Sequence, residues 1–116
     1  MMKRVFSLLV ILFLTSTTTQ NPPIQILQIN AEWNQHNDVS LKIPKDYKGY
    51  RITVDYAMLE NQGPGFKKSF AGKPLPIVVL RVGGNMKYQW TADLSFKLNL
   101  TDQEVLSTIN KVLKLK

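Results

Sequence analysis

Apolar positions change period several times along the chain, and each change marks an element. Ile24, Ile26, Leu27 and Ile29 form a short, mostly β-branched run after Pro22-Pro23, which predicts a buried strand ending near Glu32. Over residues 34–50, Val39, Ile43 and Tyr47 recur every four positions as one helical face. Val39, Leu41 and Ile43 also alternate as a strand would, and Pro44 interrupts either element; a kinked helix is the preferred reading. Ile52, Val54 and Tyr56 alternate with Arg51, Thr53 and Asp55, the pattern of a strand with one face inward.

Gly63-Pro64-Gly65 marks a turn into a short helix carrying Phe66 and Phe70 on one side. Gly72, Pro74 and Pro76 end it and deliver the chain to residues 77–82, a nearly continuous apolar run that predicts a central strand. Gly83-Gly84-Asn85 turns that strand back, and Met86, Tyr88 and Trp90 alternate along the return as a stripe expected to face the core. Thr101 and Glu104 are spaced as a capping box, and Val105, Leu106, Ile109, Val112 and Leu113 then make one apolar stripe, so the last element is a helix lying on a sheet. The predicted order is strand, helix, strand, helix, strand, strand, helix, an α/β domain with one parallel crossover followed by a hairpin.

The start of the chain differs from this. Lys3 and Arg4 precede an apolar run over 5–14, and small or polar residues follow to Gln20, the three-part layout of an export signal. Ten residues, apolar except Ser7, at about 1.5 Å each cover half of a ~30 Å hydrocarbon core, too little for a permanent span. Residues 1–20 therefore read as a leader and 21–116 as one domain, expected outside the cytoplasm, periplasmic or secreted.

The 116 residues carry 15 basic and 8 acidic side chains, a net charge of +7. Lys3 and Arg4 belong to the leader, and the remaining basic residues are scattered without an RNA-binding aromatic motif. No nucleic-acid partner is expected, and membrane contact is limited to an uncleaved leader or a weak basic surface.

Cysteine is absent from the sequence. That removes disulfides, a catalytic thiolate and cysteine-ligated metal or iron–sulfur sites. His36 is the single histidine, so neither a metal site nor another cofactor is expected.

The order of elements and several local segments resemble the thioredoxin-like superfamily. Ala31-Glu32-Trp33-Asn34-Gln35-His36-Asn37 is similar to the family's Ala-Glu-Trp-Cys-Gly-Pro-Cys segment, with Asn34 and Asn37 where both cysteines would stand. Leu75-Pro76 followed by residues 77–80 and Gly84 resembles the cis-proline segment and hairpin glycine. The likeness runs from about residue 24 to 113. It implies a thioredoxin-like fold, a mixed central sheet of about four strands flanked by three helices, with a cis Leu75-Pro76 bond facing the Trp33 loop. It also implies a groove formed by Trp33, Asn34, His36, Asn37, Leu75 and Pro76, where the family pairs main chain with an extended client segment.

Departures from the family limit what carries over. Gln28 stands where redox-active members place a buried aspartate, and an amide cannot act as a base. The first helix is shortened, and residues 91–100 form a longer connection than usual, the expected place of specialisation. Asn34 is also a good N-cap residue, and His36 fits an exposed surface position. No convergent nucleophile, base and acid is apparent. The expectation is a redox-inactive module that binds a protein or peptide in the groove; the alternative is a structural subunit of an envelope, secretion or virion assembly whose groove is vestigial.

Overall fold

The computed structural model describes residues 20–116; the expected leader lies outside them except for Gln20. Strands β1 (Ile24–Asn30), β2 (Asp46–Tyr47), β3 (Tyr50–Met58), β4 (Ile77–Val82) and β5 (Asn85–Thr91) form one sheet in the order β2-β3-β1-β4-β5. β1 is parallel to β3 and antiparallel to β4, and β4 is antiparallel to β5. Helices α1 (Pro64–Phe70) and α2 (Asp102–Leu113) complete the domain with a 3-10 segment at Glu32–Asn37. This is a thioredoxin-like fold, with β2 as a fifth, two-residue strand at one edge.

The two faces of the sheet follow from the period of two along its strands. Ile24 and Ile26 of β1, Ile52 of β3 and Val78, Leu80 and Val82 of β4 bury one face under Leu100, Val105 and Ile109. Ile29, Ala57, Ile77 and Val79 bury the other, with Phe66 and Phe70 of α1 packed against it. β1 and β4 face protein on both sides, which is why both read as nearly unbroken apolar runs.

Both helices carry the sequence signals expected of them. Pro64 opens α1, where its missing N–H is not needed. Thr101 caps α2 by accepting from the Glu104 N–H at 3.1 Å. The Glu104 carboxylate takes the Thr101 hydroxyl at 3.3 Å rather than the expected N-cap amide.

Two expectations are overturned. The kinked helix over 34–50 is absent. Its first turn is the 3-10 segment, and residues 38–45 then lead to β2 without helix or strand. The Gln28 side chain accounts for this, since its amide receives the Val39 N–H at 2.7 Å and donates to the Val39 carbonyl at 2.9 Å. It pairs with Val39 as a strand neighbour would, so Val39, Leu41 and Ile43 pack one-sidedly on the core beside α2. Nor do Met86, Tyr88 and Trp90 form a core stripe. The register shifts between Leu80 and Arg81, leaving Lys87 as an extra residue, a bulge that changes the face of Met86. Met86 and Tyr88 are exposed, while Trp90 is half-buried against the core.

Candidate functional site

The 3-10 segment starts where β1 ends, so Asn34 lies one turn beyond Asn30 at the tip of the central strand. Asn34 is 1% exposed. A buried amide must find partners for two donors and an acceptor, and the surroundings supply them. Asn34 Nδ2 lies 3.0 Å from the Leu75 carbonyl, 3.1 Å from Asn30 Oδ1 and 3.3 Å from the Phe96 carbonyl. Asn34 Oδ1 accepts from Asn37 Nδ2 at 2.8 Å.

Asn30 extends this network. Its Nδ2 donates to the Asn34 carbonyl at 3.0 Å and to Asp38 Oδ1 at 2.6 Å, and the same Asp38 oxygen accepts the Tyr56 hydroxyl at 2.9 Å. Partial burial, followed by the Asp38 hydrogen bond and charge, pushes the Tyr56 hydroxyl up to about 12. The chain Leu75, Asn34, Asn30, Asp38, Tyr56 joins β1, β3 and the turn before β4 through polar side chains. Every link is a hydrogen bond.

The structure brings Asn34, Asn37 and Leu75 together and sets Trp33 beside them. The Leu75-Pro76 bond is cis, in keeping with the sequence reading. Leu75 and Pro76 are both buried, and the Leu75 carbonyl is occupied by Asn34. Asn34 does not cap a helix: the N-cap position is Ala31, and no side chain caps the segment. His36 is exposed, with Asn37 Nδ2 3.4 Å from its Nε2. Asp93 is engaged elsewhere, accepting from the Ser95 hydroxyl and N–H at 2.5 and 2.8 Å. These bonds hold the Asp93 carboxyl below its usual range.

Residues 91–100 supply what the sequence reading left unassigned. The Asp93 turn carries Phe96 at φ 63°, and its ring meets Trp33 edge-on at 5.0 Å between centroids. Trp33 is 58% exposed and Phe96 37%, an aromatic pair beside the buried asparagines, and Leu94, two residues before Phe96, is 88% exposed. The unusual length of this connection was its only sequence signal. Asn30, Asp38 and Tyr56 gave none, because an ordinary polar residue at a strand end says nothing about its partner.

No family model matches the chain, and a search of curated proteins finds no match. Among solved structures the chain is similar to one described as thioredoxin-2, a component of malaria parasite protein secretion machinery, at 17% identity and a TM-score of 0.49. The alignment covers 78% of this chain and 84% of that one.

Proposed function

We propose that this chain is an exported, non-catalytic thioredoxin-like module that binds a protein partner through the rim formed by Trp33, Leu94 and Phe96. The exposure of this rim directly above a satisfied polar network carries the reading. Large apolar side chains exposed in a cluster are typical of interaction surfaces, and Trp supplies much contact area at low entropic cost. Thiol–disulfide exchange is impossible without cysteine.

The contact differs from pairing along the Leu75 main chain. That carbonyl already accepts from Asn34, whose amide also meets the Phe96 carbonyl. A partner therefore meets the side chains of Trp33, Leu94 and Phe96, with exposed His36 at the margin, while Asn34, Asn37, Leu75 and Pro76 support the rim from beneath. The assembly-subunit reading uses the same surface, since Leu94 projects from the longer connection. The two part on lifetime: a binding module exchanges its partner, whereas an assembly subunit stays bound through purification.

The test is recovery of partners from the extracytoplasmic fraction by wild type and by a Trp33→Ala/Leu94→Ser double variant with an unchanged circular dichroism spectrum. Loss of the wild-type partners supports rim binding. Equal recovery by the two proteins contradicts it.

A further inference from the structure

The two edges of the sheet are protected very differently. β5 carries the bulge at Lys87 and an exposed lysine at that point, two devices that discourage another strand from adding to an edge. β3 has neither. Its register with β1 runs unbroken from Ile52 to Met58, and this stretch contains no proline, glycine or lysine. On its outer side β2 pairs only with Tyr50 and Arg51, and the Ile52 N–H donates to the Lys45 carbonyl at 2.7 Å.

That last bond fixes which main-chain groups point outward. N–H and C=O groups alternate sides along a strand, so Val54, Tyr56 and Met58 turn theirs outward with Ile52. Gln62 Nε2 donates to the Met58 carbonyl at 3.1 Å. The outward groups of Val54 and Tyr56 have no hydrogen-bond partner among the described residues. Both side chains are 43% exposed.

We propose that a second copy of this chain covers this edge, the two β3 strands pairing antiparallel about a two-fold axis with Tyr56 opposite the partner's Tyr56. A two-fold contact uses the same patch on both copies, and only a few registers bring outward groups face to face. With Val54 opposite itself, Tyr56 of one copy would have to lie beside Ile52 of the other, where the main chain of Lys45 already sits and takes the Ile52 N–H. If Val54 instead faced Tyr56, Asp55 would lie opposite Asp55, and directly opposed like charges are destabilising. Centring on Met58 would draw Glu60 into the ladder, although it lies in the 3-10 turn Leu59–Asn61. Centring on Tyr56 avoids all three conflicts; its Met58 carbonyl is met only by the Gln62 side chain, and a carbonyl oxygen with two lone pairs can accept the partner's Val54 N–H as well. It sets Val54 against the partner's Met58 and Asp55 against the partner's Ala57, and it joins the apolar row of the two copies on one face. β3 ends at Met58 and turns away, so neither copy reaches the Lys45 position of the other.

Sedimentation velocity on the full chain is expected to show a dimer, with Val54→Lys weakening association at least about tenfold. A wild-type protein that stays monomeric up to about 1 mM, or a dimer unaffected by Val54→Lys, overturns the proposal. The absence of cysteine gives a direct probe of register. Across the two-fold axis the Tyr56 Cα atoms lie about 5.5 Å apart, within the roughly 4.4–6.8 Å that a disulfide spans. Tyr56→Cys is therefore expected to cross-link on mild oxidation and Asp55→Cys to lag well behind. Faster cross-linking at Asp55→Cys overturns this register. Because Tyr56→Cys loses the Asp38 bond, a Val54→Cys/Met58→Cys protein that keeps Tyr56 provides a second reading: covalent dimers are expected, and their absence in a folded protein contradicts the pairing.

Discussion

Asn34 Nδ2 lies 3.0 Å from the Leu75 carbonyl, tying the tip of the central strand to the residue that precedes the cis proline. The bond closes the site from inside. It occupies a main-chain acceptor that would otherwise face a bound segment, and the shared amide also approaches the Phe96 carbonyl, holding the aromatic rim in place. Replacing Asn34 tests both roles. Asn34→Ala leaves Asn37, Asn30 and Leu75 with lost partners in a buried setting, and unfolding in urea should show a loss of about 2–3 kcal/mol. A loss below about 0.5 kcal/mol would mean that the network contributes little.

Gln28→Leu isolates the device that holds residues 38–45 against β1 in place of a helix. The substitution removes both bonds to Val39 while keeping a side chain of similar size at this buried position. The expected cost is about 1–3 kcal/mol, accompanied by faster amide exchange at Val39. Proteolysis is expected to begin in this segment.

Tyr56 makes stability depend on alkaline pH. Its hydroxyl has an ordinary value of 10.0 and is pushed up to about 12 in the folded protein. The unfolded chain therefore releases this proton first, and the contribution is fully present below pH 10 and fades as pH rises toward 12. Chemical denaturation between pH 9 and 12 should show a steeper decline in wild type than in Tyr56→Phe. The two proteins should lose stability in parallel if Asp38 and partial burial do not act on Tyr56.

The helix cap gives an independent check on the fold. Thr101→Ala removes the acceptor for the Glu104 N–H and should cost about 1 kcal/mol. Thermal unfolding measures it, and partner recovery through the Trp33 rim should not change.

Much of this architecture is legible in the sequence because period carries it. The strand runs at 24–29 and 77–82, the Gly83-Gly84 hairpin and the stripe of α2 each announce an element whose packing then follows. Residues 34–50 misled for a physical reason: Val39, Ile43 and Tyr47 satisfy a helical spacing, but Val39, Leu41 and Ile43 satisfy a strand spacing too, and the choice falls to Gln28, a distant side chain. Likewise, Met86 leaves the expected stripe through one inserted residue at Lys87, which shifts every position beyond it. The site was legible as a set of neighbours, since Asn34, Asn37 and Leu75 do meet. Its closed state was not, because it depends on an amide reaching a carbonyl 41 residues away and on a loop whose length alone stood out.

Hydrogen exchange of the Asn34 side-chain amide, followed by NMR, tests the central claim most directly. A sealed site predicts two resolved Asn34 Nδ2 protons that exchange far more slowly than those of an exposed asparagine and stay protected when a partner shifts the Trp33 indole signal. Exchange at the rate of a solvent-exposed amide, or loss of protection on partner binding, would contradict a site closed by Asn34 and read from its rim.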